Sequence, residues 1–167
     1  MTEQQYYDYF LDVATRHPDL QHTDQKPRFF QMNVEEVISG RGNFRPEDYV
    51  LVIDSFEGQL VDYRSDNILD YQHGAFQVLR HSPKDDALLR RQIESKTKQI
   101  VFQILAKLLH DRLPENGRLF NLEVSNTKYF KIGPVFDQVY GHRCELTFYE
   151  SASHNLDYDP SLWYPLE

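Results

Sequence analysis

Residues 84 to 112 read KDDALLRRQIESKTKQIVFQILAKLLHDR, and the spacing of their apolar residues decides the fold class. Leu89, Ile93, Ile100, Val101, Ile104, Leu105 and Leu108 recur at the 3.6-residue period of a helix that lays one face on a core. Ser82 stands where an N-cap belongs, Pro83 at the first helical position, and Asp85 and Asp86 in a first turn that favours carboxylates. Lys107, His110 and Arg112 suit the negative end of the helix, Glu94 and Lys98 form a favourable i,i+4 pair, and Pro114 with Gly117 stops the run.

Outward from this helix the chain changes period. On the N-terminal side, YVLVID at 49–54 is a continuous aliphatic run suited to a central strand buried on both faces. Glu57-Gly58 then reads as a tight hairpin turn, with a second strand over Gln59 to Arg64, loop or short helix over 65–72, and a third strand from Gly74 to His81. Further back, Phe29, Phe30, Met32 and Val34 suggest a short extended segment, and Glu35 to Ser39 a helical turn. Thr2 followed three residues later by Gln5 has the form of a capping box that opens an N-terminal helix, ended by His17-Pro18.

On the C-terminal side, strands are expected over Leu119 to Val124, Tyr129 to Phe136 and Val139 to Tyr149. In the last, Cys144, Leu146 and Phe148 alternate with Arg143, Glu145, Thr147 and Tyr149, so one face is core and the other wet. The fold class is therefore α+β, a single domain over residues 1–150 with a mostly antiparallel or mixed sheet packed against the long central helix and an N-terminal helix. Residues 151–167 show neither period and form an extended arm rich in aromatic residues, with Tyr158, Trp163 and Tyr164 among Leu, Asp, Pro and Ser.

Composition narrows the function classes. With 26 acidic and 18 basic residues the net charge is -8, which repels a phosphate backbone and argues against affinity-bearing nucleic-acid binding. One cysteine, Cys144, rules out an intrachain disulfide and fits cytoplasmic synthesis. The opening MTEQQYYDYF lacks the basic and apolar regions of a signal peptide, and no apolar run is long enough to cross a membrane.

Little in the chain has the spacing of chemistry. His110-Asp111 would need further ligands on packed helices to hold a metal, and the helix dipole explains the histidine by itself. His154, Asp157 and Asp159 are too few oxygens for a calcium loop. Asp54, Glu57, Asp62, Asp66 and Asp70 offer carboxylates for a hydrolase, but they fall at strand ends and loops where solvated acids are ordinary. Cys144 lies in the apolar series of its strand, so a buried, inert thiol is expected despite His142 nearby. No catalytic residue, cofactor or metal is expected.

The order of N-terminal helix, YVLVID, GAFQVL, long helix and the closing run YFKIGPVFDQVYGHRCELTFYE resembles the tail-terminator and related neck proteins of tailed phages and prophages. The resemblance spans most of the chain and implies a small α+β subunit, several copies of which, commonly six, form a ring on the tail tube. Such a ring stops tube polymerisation and meets the head connector, so the implied partners are further copies of the chain, tail-tube proteins and head-connector proteins, in a virion-associated structure. The residues expected at such contacts are Arg41 and Arg45 in the loop GRGNFR, Arg143, Glu145 and Tyr149 on the wet strand face, and Tyr158, Trp163 and Tyr164 in the arm. The competing expectation is a small acidic binding module of adaptor or immunity type, monomeric or dimeric, whose negative surface meets a basic partner.

Overall fold

A computed structural model describes residues 1–31, 45, 47–55, 57–64, 67–116, 120–135 and 138–163. At its start Gln5 N donates to Thr2 Oγ1 at 3.2 Å while Thr2 N donates to Gln5 Oε1 at 2.8 Å, the expected capping box. The helix that follows, α1 (Glu3–Arg16), buries Tyr6, Phe10, Val13 and Ala14, and ends at His17, whose extended backbone precedes Pro18.

The central helix, α2 (Ala87–Asp111), starts later than its sequence signals suggest. Asp86 is the N-cap, its carboxylate accepting from Leu89 N at 2.8 Å, while Ser82 is fully buried ahead of a turn. A carboxylate at a helix N-terminus gains from the dipole as well as from the hydrogen bond, which favours Asp86 over the more distant serine. Pro114 ends α2 as expected and opens a single 3-10 turn, whereas Gly117 lies outside the described residues.

Among the described residues six strands form one mixed sheet: β1 (Phe29–Gln31), β2 (Val50–Ile53), β3 (Glu57–Asp62), β4 (Ile68–His81), β5 (Lys128–Val135) and β6 (Val139–Ser151). Their order is β1-β2-β4-β6-β5, with β3 attached to β4, and only the β1/β2 pair is parallel. The spine is the antiparallel pair β4/β6, in register from Leu69 opposite Ser151 to His81 opposite Val139. On the other flank of β4, β2 pairs with Phe76 to Leu79 and β3 with Ile68 to His73.

Several local expectations change. The four residues of β2 are all buried, as its aliphatic run requires, but it lies second from the β1 edge and its antiparallel neighbour is β4, not β3. Glu57 and Gly58 are strand residues, and the true hairpin joins β3 to β4, with Arg64 at positive φ and its N–H bonded to the Asp62 carboxylate at 2.6 Å. Residues 68–72 are therefore strand; Asp70, Gln72 and His73 obscure the period because this half of β4 lies along the exposed β3. Leu119 lies outside the described residues, and the rest of the expected 119–124 strand contributes only a bridge from Leu122 to Phe148 before Val124 enters a 3-10 turn. Met32, Val34 and the turn at 35–39 also lie outside the described residues.

Helices α1 and α2 pack on one sheet face. Leu51, Ile53, Phe76, Val78, Cys144, Leu146 and Phe148 meet Tyr6, Phe10, Ile100, Val101, Ile104 and Leu108 in a continuous core. Each large side chain buried there stabilises the fold by roughly 1.5–3 kcal/mol. Aromatic rings tie the layers together: Phe10 stands 5.4 Å from Phe76, Phe120 meets Phe148 edge-on at 5.3 Å, and the Tyr6 hydroxyl donates to Ala75 O at 2.9 Å. Of the expected helix face, Ile93, Ile100, Val101, Ile104 and Leu108 are fully buried, Leu105 packs at the margin and Leu89 is half-buried. On the opposite sheet face, Val50, Val52, Leu79 and Val139 form a smaller cluster with Phe30, Ile132 and Val135.

Candidate interaction surface

Strand alternation sends Arg143, Glu145 and Tyr149 to the sheet face away from the helices, because Cys144, Leu146 and Phe148 take the helix side. Arg143 there pairs with Asp54 at 2.6 Å and Glu145 at 3.4 Å, and Gln77, directly opposite Arg143, donates to Asp54 at 3.2 Å. Farther along the same face, Tyr149 packs on Tyr71 at 5.9 Å, and the Tyr71 hydroxyl meets that of Tyr63 at 3.3 Å. Three of the expected contact residues thus share one half-exposed polar and aromatic surface.

Among the described residues the arm is fastened to the domain at its root, where Ala152 is buried, while its large side chains stay exposed farther along. Two short 3-10 turns, Ser153–Leu156 and Pro160–Leu162, fold it, the second capped by the Asp159 carboxylate accepting from Ser161 N at 2.8 Å. The Ser161 hydroxyl, and after it the Ser161 N–H, hold the Asp159 carboxyl below the usual range. Tyr158 and Trp163 stack at 6.4 Å and are 74% and 65% exposed, and Leu162 is 79% exposed. Arg45 is exposed, while Arg41 and Tyr164 lie outside the described residues.

One exposed group was missed by sequence reasoning. Phe102 on α2 and Tyr129 on β5 meet edge-on at 5.0 Å, 44% and 43% exposed, with the Lys98 ammonium 5.6 Å from both rings. Lys131 stands on the same side of β5 and reaches Glu94 at 3.2 Å. The sequence carries one signal for this: Phe102 is a large aromatic one position off the apolar stripe.

The candidate chemical groups do not converge. Asp54 points to the open sheet face toward Arg143, whereas Asp70 lies on the helix side beside Gln72, its hydrogen-bond donor at 2.8 Å. Asp66 is outside the described residues. No group of three or more His, Cys, Asp or Glu is placed to hold a metal ion among the described residues. Cys144 is fully buried, and burial pushes its thiol up to about 12, which keeps it protonated and unreactive at neutral pH. His142 turns to the helix side and its Nδ1 meets the buried Thr97 hydroxyl at 3.0 Å; burial lowers its pKa. No helix among the described residues is long and apolar enough to cross a membrane.

His110-Asp111 has a structural task. The Asp111 carboxylate accepts from Lys107 at 2.6 Å, His110 at 2.9 Å and the Tyr9 hydroxyl at 2.8 Å, which locks the end of α2 to α1. Burial acts to raise the Asp111 carboxyl, but the bonds from Lys107, His110 and Tyr9 outweigh it and hold it below the ordinary value. A depressed folded value means stability that is full above the ordinary aspartate range and is lost as pH falls through the folded value. Asp111→Asn is expected to remove that acid dependence and to cost about 1.5–3 kcal/mol near neutral pH, the range for hydrogen bonds to a charged group. Urea midpoints of both proteins between pH 7 and pH 2 check it; parallel curves would show that Asp111 does not carry the effect.

No known protein family matches this chain, and no curated protein matches it either.

Proposed function

We infer that this chain is a structural protein of a phage or prophage tail or neck, working as a homo-oligomeric ring that terminates the tail tube or joins it to the head connector. The supporting observation is the arm: among its described residues Leu156, Tyr158, Leu162 and Trp163 are exposed. Exposed aromatic groups of this kind are the usual anchors of a protein interface. Because β6 is flanked by β4 and β5, sheet-to-sheet pairing between subunits falls to β5, β3 or β1. The resemblance in element order supports the same reading, and a net charge of -8 per subunit would let DNA pass through a ring without adhering.

Native mass by light scattering across a concentration series tests the ring. A discrete closed oligomer is expected; a monomer at every concentration, and in the presence of tail-tube protein, would refute it. Trp163→Ala is expected to weaken self-association by about 30-fold or more, the loss of one interface hot spot of ~2 kcal/mol, while leaving the melting temperature unchanged. Unaltered assembly would remove the arm from the interface. The acidic charge favours one other reading, a binding module for a basic partner, which takes first place if the chain is a monomer.

A further inference from the structure

The arm leaves the domain at the Ser151 end of the β4/β6 spine. Ala152 N donates to Ile68 O at 2.8 Å, and Ile68 N donates to the Ser153 hydroxyl at 3.0 Å, so the root of the arm is fastened to the first residue of β4. Strand β5 lies on the other flank of β6, with Lys128 opposite Glu145. Ser151 is six residues beyond Glu145, which places the root ~20 Å farther along the sheet at about 3.3 Å per residue.

β5 is an edge strand whose two faces carry the same pair of groups. Tyr129 and Lys131 stand on the helix side, next to Phe102 and Lys98, and Phe130 and Lys128 stand on the other. Lysines on an exposed edge oppose pairing between two such edges. They favour an acidic aromatic partner, and the chain carries one: residues 151–167 contain Asp157, Asp159 and Glu167 with no lysine or arginine.

The geometry points to a head-to-tail contact in which the arm of one copy lies on the β5 edge of a second copy, with Tyr158 and Trp163 against Phe102 and Tyr129, and Asp157 and Asp159 facing Lys98 and Lys131. This proposal rests on the ring reading and names its junction. A donor at one end of the spine and an acceptor on the β5 edge are different surfaces, so the interface is heterologous and repeats from copy to copy instead of stopping at a dimer.

Cross-linking tests it in the full-length chain. Ser161→Cys places a thiol in the exposed arm and Gln99→Cys places one beside Lys98, while the native Cys144 is buried and does not compete. A short bis-maleimide should convert the double variant into a ladder of covalent multimers on a denaturing gel, and each single variant into nothing larger than a dimer. Adding Phe102→Ala and Tyr129→Ala, with folding checked by circular dichroism, should reduce the ladder about tenfold or more. Raising the salt to 1 M, where screening acts over about 3 Å, should also thin it. An intrachain product alone, no product, or a ladder indifferent to Phe102 and Tyr129 would overturn the contact. Light scattering on the unmodified chain, alone and with tail-tube protein, separates the two claims: a closed oligomer without the ladder overturns the junction and keeps the ring, and a monomer under both conditions without the ladder overturns both.

Discussion

Ile104→Asp is expected to leave no cooperatively folded protein. Ile104 is 1% exposed in the layer between α2 and the sheet, among apolar core residues that offer a carboxylate no partner. An unpaired buried charge costs several kcal/mol even after the group takes up a proton, and the lost packing of a large aliphatic side chain adds about 2–5 kcal/mol. Together these approach the ~5–15 kcal/mol that holds a domain folded. Ile104→Ala, which keeps only the packing loss, should remain folded with a lowered urea midpoint. Circular dichroism of the two variants decides it: native melting of Ile104→Asp would sink the assignment of this helix face.

Gly141→Ala is the next largest. In β6 this glycine lies opposite Leu79 of β4, and a Cβ there would meet Val78 O at 1.9 Å, Val78 C at 2.9 Å and Leu79 Cα at 3.1 Å. All three atoms are backbone, so the two spine strands would have to part. Overpacking costs typically ~1–3 kcal/mol where side chains give way, and a clash with backbone belongs at the top of that range or above it. A fall in melting temperature of about 6–12 °C or more follows for a chain of this size. Gly58→Ala provides the contrast, since its nearest neighbour is an Asp70 carboxylate oxygen at 3.6 Å, an ordinary contact. If both variants lost equal stability, close approach of the spine strands would not be the cause.

Gly141 also shows how sequence and structure divided the work. The glycine after FDQVY was visible as part of a family-like phrase, but its reason is a contact with β4 about sixty residues earlier, which no local pattern encodes. Elements whose period is set by one core face were legible: α2 through Ile93, Ile100, Ile104 and Leu108, β6 through Cys144, Leu146 and Phe148, and α1 through the Thr2/Gln5 box. The first half of β4 was not, because Asp70, Gln72 and His73 pair with the exposed β3, where no apolar face imposes alternation. Strand order was likewise hidden, since nothing local in YVLVID tells that its antiparallel neighbour is β4 and not β3. Of the candidate contact residues, Tyr158 and Trp163 stood out as large aromatics in an aperiodic tail, whereas the Phe102/Tyr129 pair exists only once α2 and β5 are side by side.

The β3 hairpin has a mechanical consequence. Among the described residues β3 pairs with β4 alone, and five of its six residues are exposed, so little apolar burial opposes its detachment. A unit with so few buried groups opens locally at a small fraction of the global unfolding free energy. The arm is fastened to the same place, through Ile68 and through Asn67, whose side chain accepts from the Ser151 hydroxyl at 2.7 Å. Fraying of the hairpin therefore loosens the arm at its root while the helices and β4/β6 stay packed, giving the terminal segment a compliant mount on a stiff body.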